Sequence, residues 1–211
     1  MRTDRLIDTL ASDRMPGMQP TRMIAIAALA GIAVTGALFF ATLGPRPDFM
    51  AAMGTWRFVM KFVVTIALAA STALLVARAA RPETRRGPAD ALLYLAPIVL
   101  LLAVIVELFV VPQASWMPRL IGHNARICMM AIPFFSLGPL ALLLLALREG
   151  ATANPLRAGA LAGLMAGGLG AAFYAAHCPD DSPLFVAVWY TLAIALVTGL
   201  GALAGRRLLR W

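Results

Sequence analysis

Two cysteines, Cys128 and Cys178, carry the most distinctive chemistry in this sequence of 211 residues. They lie fifty residues apart, which excludes a CxxC redox motif and a four-ligand zinc site built from cysteine alone. Thiolates are soft ligands that suit heavy metals, and an adjacent imidazole broadens the range of metals that such a site binds. The candidate auxiliary ligands near the cysteines are His177, His123, Asp180 and Asp181.

Six long apolar segments must position these residues. Apolar residues make up 61% of the chain and charged residues 13%, against roughly 45–50% and about 25% in soluble proteins. The six segments each reach the length of about 20 residues that a membrane span requires, and they lie at 23–43, 58–77, 91–111, 127–147, 158–177 and 184–204. The sequence therefore predicts an all-α membrane protein, a bundle of six transmembrane helices at 23–204 between an N-terminal segment at 1–22 and a basic tail at 205–211.

The basic residues indicate the orientation of this bundle. If the N-terminus is cytoplasmic, thirteen of the eighteen basic residues lie on the cytoplasmic side, and the far side holds only Arg46, Arg57, Lys61, Arg119 and Arg126. This is a clear positive-inside bias. We therefore expect both termini in the cytoplasm. The net charge of +8 is then explained by topology, and no direct binding of nucleic acid is expected.

The predicted topology places the two cysteines at the same membrane depth. Span four runs inward from Ile127, so Cys128 lies near its outer end, and Cys178 lies just past the outer end of span five. In a Gram-negative cell this level faces an oxidising compartment. Three interpretations remain open from the residues alone: two unrelated buried thiols, a structural disulfide between spans four and five, and a pair that senses metal or oxidant.

Glu107 is an acidic residue inside a predicted span, near the outer end of span three. Ionisable side chains at such a depth are costly and are usually paired or functional. Lys61 and Arg57 open span two at the same outer level and are the candidate partners of an intramembrane ion pair. A structural ion pair is the simpler interpretation. The alternative is a small transporter or channel with Glu107 in its pathway, which the scarcity of other intramembrane charge opposes.

Three glycines of span five predict close helix packing. Gly159, Gly163 and Gly167 follow a spacing of four residues and share one helix face, where a neighbouring backbone can approach closely. We expect this face to pack within the chain rather than against a second copy.

The N-terminal segment contains a short amphipathic pattern, TDRLIDTLA at 3–11. Asp4 suits the positive end of a helix dipole, and Leu6, Ile7 and Leu10 form an apolar stripe opposite the charges. A helix of this length is not stable alone. It either lies on the membrane surface or docks in a groove of a cytoplasmic partner and orders as it binds.

Three stretches of the sequence resemble the NrsF-like family of bacterial inner-membrane proteins: HCPDDSPLFVAVWY at 177–190, GRRLLRW at 205–211 and TDRLIDTLA at 3–11. The resemblance covers essentially the whole chain. The family consists of six-span anti-sigma factors that restrain extracytoplasmic-function (ECF) sigma factors. The resemblance implies that the cytoplasmic segment with Asp4, Leu6, Ile7 and Leu10 binds the sigma factor. It also implies that Cys128 and Cys178 report heavy-metal or oxidative stress.

The expected function is therefore regulation of transcription from the bacterial inner membrane, by holding an ECF sigma factor and releasing it on stress. The expected partners are that sigma factor, on the cytoplasmic side, and the lipid bilayer. No cofactor is expected, apart from transient binding of a heavy metal. We do not expect an enzyme, because no nucleophile–base constellation or phosphate loop is present. A membrane thiol oxidoreductase would require a reactive cysteine motif and a partner pair or quinone site in addition to two isolated cysteines.

Overall fold

The computed structural model describes residues 19–81 and 87–209 of the chain. In these two stretches all regular secondary structure is helical, and six helices are long and apolar enough to cross a membrane. They are α1 (Pro20–Thr42), α2 (Trp56–Ala79), α3 (Pro88–Val110), α4 (Ala125–Arg148), α5 (Pro155–Ala175) and α6 (Pro183–Leu208). At about 1.5 Å per residue, each reaches across a hydrocarbon core of about 30 Å. The predicted all-α bundle of six membrane helices is confirmed, and the chain is a multi-pass membrane protein.

Prolines and short polar side chains set where several helices begin. Pro20, Pro155 and Pro183 occupy the first helical turn of α1, α5 and α6, where proline loses no intrahelical hydrogen bond. The side chain of Asn154 caps α5 by accepting a hydrogen bond of 3.0 Å from the backbone N–H of Arg157. Ser182 caps α6 in the same way through the N–H of Leu184, at 3.3 Å. These caps satisfy donors that a helix start leaves unpaired.

Two helices change geometry along their length. α3 begins with a 3₁₀ segment, Pro88–Tyr94, before the α-helix Leu95–Val110. α6 begins with a single turn, Pro183–Phe185, followed by a π-helical segment, Val186–Tyr190, and then the α-helix Thr191–Leu208. α6 therefore continues four residues beyond the predicted end of span six. Three further short helices lie in the connections: Phe49–Ala52 between α1 and α2, and the 3₁₀ helix Gln113–Ser115 followed by Trp116–Ile121 between α3 and α4.

Helix α5 is the centre of the bundle. It packs against α2, α4 and α6, while α1 packs against α4 and α3 against α2. α5 is the most buried of the six helices and α3 the least. One apolar cluster, around Leu143, Leu147 and Ala162, fills half of the bundle. A second cluster surrounds Cys128 and Cys178, and we call this half of the molecule the cysteine end.

The glycine face of α5 lies directly on α6. A Cβ atom added to Gly163 would lie 2.7 Å from the Cα of Thr198, and one added to Gly159 would overlap the carbonyl oxygen of Gly201. Gly167 faces Ile194, whose Cγ2 would be 3.1 Å from an added Cβ. These contacts leave no room for side chains between the two backbones. The spacing of the three glycines is thus used within the chain.

Candidate functional site

The two cysteines lie in one buried cluster at the cysteine end. Cys128 is in the first turn of α4, and Cys178 follows the last residue of α5, Ala175, by three positions. Both side chains are 0% exposed and both are free thiols. Ile132 and Phe185 pack into the same cluster. The antiparallel order of α4 and α5 therefore brings together two residues that are distant in sequence.

Buried charges hold the segment that carries Cys178. We call residues 176–182 the cysteine loop. The ammonium of Lys61, on α2, is fully buried; it donates a hydrogen bond of 2.8 Å to the carbonyl oxygen of Cys178 and lies 2.6 Å from Oδ1 of Asp181. Arg46, in the α1–α2 connection, contacts Oδ2 of Asp181 at 2.9 Å. The backbone N–H of Arg46 also donates to the carbonyl of Ala176, at 3.0 Å. The loop is thus fastened to α2 and to the α1–α2 connection.

Asp180 joins the cysteine loop to the helix that carries Cys128. Its Oδ2 accepts hydrogen bonds from the backbone N–H of Asn124 at 2.8 Å and of His123 at 3.1 Å. These N–H groups directly precede α4, so the carboxylate acts as a cap supplied from another part of the chain. Gly122, at φ +59°, allows this approach, since an added Cβ would lie 2.9 Å from the Cγ of Asp180. The two cysteine-bearing segments are therefore linked by a side chain as well as by packing.

The four candidate auxiliary ligands have other partners in the structure. Nδ1 of His177 lies 3.0 Å from the carbonyl oxygen of Gly44, and His177 lies beyond the end of α5 rather than inside the predicted span. His123 is 95% exposed, with its ring 3.6 Å from Asp180. Among residues 19–81 and 87–209, no group of three or more His, Cys, Asp or Glu side chains could hold a metal ion. The cluster therefore offers a soft cation the two sulfurs, without a preformed set of histidine and carboxylate ligands.

Glu107 is fully buried at the end of α3 and is paired twice. Arg57 contacts its Oε2 at 2.8 Å and Arg119 contacts its Oε1 at 3.0 Å. The pairing with Arg57 agrees with the sequence-based expectation. The expected pairing with Lys61 is wrong, because the rotation of α2 directs Lys61 to Asp181 and to the cysteine loop. Two guanidinium groups neutralise the carboxylate, which is the arrangement of a structural ion-pair network.

The environment of the cysteine loop sets the protonation of its groups. Burial raises the pKa of the Cys178 thiol, and the nearby positive charge of Lys61 opposes that rise. The thiol donates a long hydrogen bond to the backbone carbonyl oxygen of Asp180, with 4.0 Å between the sulfur and the oxygen. At the exposed edge, hydrogen bonding to Asp48 raises the pKa of Arg46, and the same contact lowers the pKa of the Asp48 carboxyl. Arg46 and Asp48 therefore stay charged, while the thiol is protected as a neutral group.

Sequence reasoning missed several residues that build this site. Arg46 and Arg119 appeared only as loop charges, and the capping role of Asp180 was not expected. Arg119 lies on the short helix Trp116–Ile121, which is too short to give a periodic signal. Arg46 stands beside prolines in a connection, where only the folded chain brings it to Asp181. Asp4, Leu6, Ile7 and Leu10, the residues expected to bind a sigma factor, lie outside the described residues.

Comparisons with known proteins address the identity of the chain. A family model described as NrsF, negative regulator of sigma F, matches residues 10–211. The anti-sigma-F factor NrsF of Caulobacter vibrioides is 37% identical over 218 residues, with all of both chains covered. The probable anti-sigma-F factor NrsF of Azospira oryzae is 30% identical over 216 residues, again with full coverage of both. No solved structure matches the chain.

These matches describe regulatory proteins and confirm the expectation that the chain is not an enzyme. They also confirm the resemblance to the NrsF-like family. Because the family model and both relatives cover nearly all of the sequence, the chain belongs to the NrsF family of anti-sigma factors, the negative regulators of sigma F.

Proposed function

We propose that this protein is anchored in the bacterial inner membrane, holds an ECF sigma factor at the cytoplasmic face, and releases it under heavy-metal or oxidative stress. Membership of the NrsF family supports the anti-sigma activity. The observation that supports the sensing activity is the pair of free thiols, Cys128 and Cys178, fully buried in one cluster.

The charge distribution supports the proposed orientation. With thirteen of the eighteen basic residues on the cytoplasmic side, the cysteine end faces the periplasm. The N-terminal segment, with Leu6, Ile7 and Leu10 as its apolar stripe and Asp4 at its start, is then cytoplasmic and is the proposed sigma-binding segment. Sensor and sigma factor are therefore on opposite sides of the membrane.

The proposed chemistry at the sulfurs is simple. A soft divalent cation replaces the two thiol protons: two S–H bonds break, two sulfur–metal bonds form, and both protons pass to water. An oxidant acts differently, since a sulfur–sulfur bond forms and the oxidant takes up two electrons and two protons. Either reaction places a new constraint between the start of α4 and the cysteine loop.

Transmission to the cytoplasmic side follows the packing of α5. The cysteine loop continues directly from α5, and α5 is in backbone contact with α6 through Gly159 and Gly163. We propose that these two helices move together when the loop is displaced relative to α4. For such coupling the metal or oxidant must favour one packing over the other, typically by about 1–3 kcal/mol.

The first test uses the cysteine variants Cys128→Ser and Cys178→Ser. Because serine preserves the size of the side chain but not the soft sulfur, each variant is expected to retain the sigma factor on membranes and to fail to release it after cadmium. The measurement is the amount of sigma factor that sediments with membranes before and after the metal is added.

Two further variants serve as controls for this experiment. Ala171→Ser adds a hydroxyl to the same buried cluster without removing a sulfur, and it should release the sigma factor as the wild type does. Leu6→Asp disrupts the apolar stripe and should release the sigma factor without any metal. Normal release by both cysteine variants would show that the thiols are not the sensor.

A further inference from the structure

Two tyrosine hydroxyls beside the cysteines have no hydrogen-bond partner. Tyr174 is 0% exposed and Tyr190 is 1% exposed, and both belong to the cluster that contains Cys128 and Cys178. Within the described part of the chain neither phenolic oxygen has a hydrogen-bond partner. An unpaired buried hydroxyl is costly, and phenylalanine would fill the same space without that cost. The hydroxyls therefore need an explanation.

The fold places both tyrosines close to Cys178. Tyr174 precedes Cys178 by one helical turn, and the N–H of Cys178 donates to the carbonyl of Tyr174 at 3.0 Å. Tyr190 approaches from the π-helical segment of α6, with its ring centroid 6.0 Å from that of Tyr174. Both phenols interact with Cys178 and with Cys128. Two phenolic side chains and two thiols are therefore buried together in one cluster.

The strength of a hydrogen bond from these hydroxyls to a sulfur depends on the charge of the sulfur. A neutral thiol is only a weak hydrogen-bond acceptor. A thiolate, free or bound to a metal, carries negative charge, and a hydrogen bond to a charged acceptor is roughly twice as strong as one between neutral groups. A hydrogen bond from either hydroxyl to a sulfur is therefore much stronger once that sulfur has lost its proton. The charged groups that also act on the sulfurs are Lys61, from α2, and Asp180, from the cysteine loop.

We propose that Tyr174 and Tyr190 complete the thiol site as positioning residues, whose hydroxyls donate hydrogen bonds to the sulfurs of Cys178 and Cys128 when a soft divalent cation binds. This inference rests on the proposed function, since it names further residues of the same site. The two S–H protons leave to water, the sulfur–metal bonds form, and no electrons are transferred. The tyrosines keep their protons and do not bind the metal themselves.

The test uses the full-length protein in detergent, with Cd²⁺ alone as the probe. Tyr174→Phe, Tyr190→Phe and the double variant are compared with Tyr94→Phe, a tyrosine that is 66% exposed. The affinity for Cd²⁺ is measured from the ultraviolet charge-transfer absorption of the cadmium–thiolate bond. The rate of thiol alkylation by a small methanethiosulfonate is measured as a function of pH.

Each buried variant is expected to lower the Cd²⁺ affinity about tenfold and to move the alkylation profile up by about one pH unit, since a hydrogen bond to a charged group shifts a pKa by roughly that amount. Tyr94→Phe should change neither. The unfolding temperature should be unchanged or higher in the buried variants, because an unpaired hydroxyl has been removed. A loss of Cd²⁺ affinity without a fall in unfolding temperature therefore separates a role at the sulfurs from a general structural role.

Unchanged Cd²⁺ affinity and an unchanged alkylation profile in the double variant would overturn the proposal, as would a wild-type protein without the charge-transfer absorption. Neither measurement involves a sigma factor. A failure of Cys128→Ser or Cys178→Ser to block sigma factor release would instead refute the sensing function and leave the role of the hydroxyls at the sulfurs standing.

Discussion

The charged side chains of Lys61 and Glu107, buried at the cysteine end, each have partners of opposite charge. Lys61 and Glu107 are both fully buried. Lys61 has Asp181 beside it and Glu107 has Arg57 and Arg119. Breaking a buried pair by removing one partner typically costs about 3–5 kcal/mol, because the other charge is left uncompensated. These residues therefore fix the positions of α2, α3 and the cysteine loop relative to one another.

Asp180 provides the sharpest residue-scale prediction. Asp180→Asn removes the negative charge that caps α4 and turns one acceptor into a donor, which faces the N–H groups of His123 and Asn124. We expect the free energy of unfolding in detergent to fall by about 1–2 kcal/mol. Alkylation of Cys128 should become faster as the start of α4 loosens. Both are measurable on the purified protein.

Asp48→Asn is the matched control for this change. The side chain of Asp48 is 57% exposed, and it forms an ion pair with Arg46. The same chemical substitution should therefore leave stability and Cys128 alkylation nearly unchanged. Equal effects of the two variants would show that net charge, rather than the cap on α4, is responsible.

The site residues differ in how far the sequence could predict them. The order and direction of the spans predicted a common membrane depth for Cys128 and Cys178, but not a shared buried cluster. The partner of Lys61 was not predictable from the sequence. It depends on the rotation of α2 about its axis, and a run of apolar residues does not determine that rotation. Tyr174 had a usable signal, its spacing of four residues from Cys178. Tyr190 had none, because a π-helical segment shifts every following residue relative to an α-helical wheel.

At the scale of elements, α5 and α6 form one packed unit. Glycines meet across this contact on both sides, since a Cβ added to Gly205 would lie 2.7 Å from the Cα of Gly159. Gly168 also faces α2, where an added Cβ would lie 3.0 Å from the backbone nitrogen of Ala69. Close backbone packing without side chains is a usual source of stability between membrane helices. A shift of α5 therefore carries α6 with it.

Gly163→Ala should separate these helices. The added methyl group would meet the Cα of Thr198 and the carbonyl oxygen of Val197, both at 2.7 Å, and overpacking of this kind costs about 1–3 kcal/mol. We expect a lower unfolding temperature in detergent, measured by loss of the helical circular dichroism signal.

Gly199→Ala is the control, on the neighbouring helix. An added Cβ at Gly199 meets no heavy atom within 4 Å, so alanine should be neutral or stabilise the helix by about 0.5–1 kcal/mol. A Gly163→Ala protein as stable as Gly199→Ala would contradict the packing of α5 on α6 described here.

The spacing of Gly159, Gly163 and Gly167 predicted this element-scale contact, but not its partner. Gly201 and Gly205 repeat the same spacing on α6, which is the helix that α5 contacts. The helix bounds were predicted within a few residues, since apolar runs and prolines define them. The short helix Trp116–Ile121 was not predicted, because six residues are too few for a periodic pattern.

Across the whole bundle, the two ends differ in the ion pairs that they contain. The cysteine end carries the buried ion pairs of Lys61 and Glu107, and the capped start of α4. The opposite end carries the ion pair of Arg157 with Asp90, at 2.6 Å, and the start of α1. Only the basic residues indicate which end faces the cytoplasm. The orientation of the bundle is therefore a prediction from the distribution of charge.

Fusions to alkaline phosphatase, which is active only after export, test this orientation. Fusions after Met50 or Gln113, at the cysteine end, should be active. Fusions after Thr152 or Leu209 should be inactive, because both positions lie on the side with thirteen basic residues. Enzyme activity normalised to the amount of fusion protein is the measurement, and the reverse pattern would invert the proposed sensor and sigma-binding sides.

From the double pairing of Glu107 we also expect an order for membrane insertion. A charged side chain inside a membrane helix adds up to about 3 kcal/mol to the free energy of insertion, so α3 is a poor candidate for entering the bilayer alone. Arg57 is synthesised before Glu107 and Arg119 after it. We therefore expect α2 and α3 to leave the translocon as a helical hairpin with the first ion pair already formed. Arg119 then completes the neutralisation of Glu107 as α4 follows.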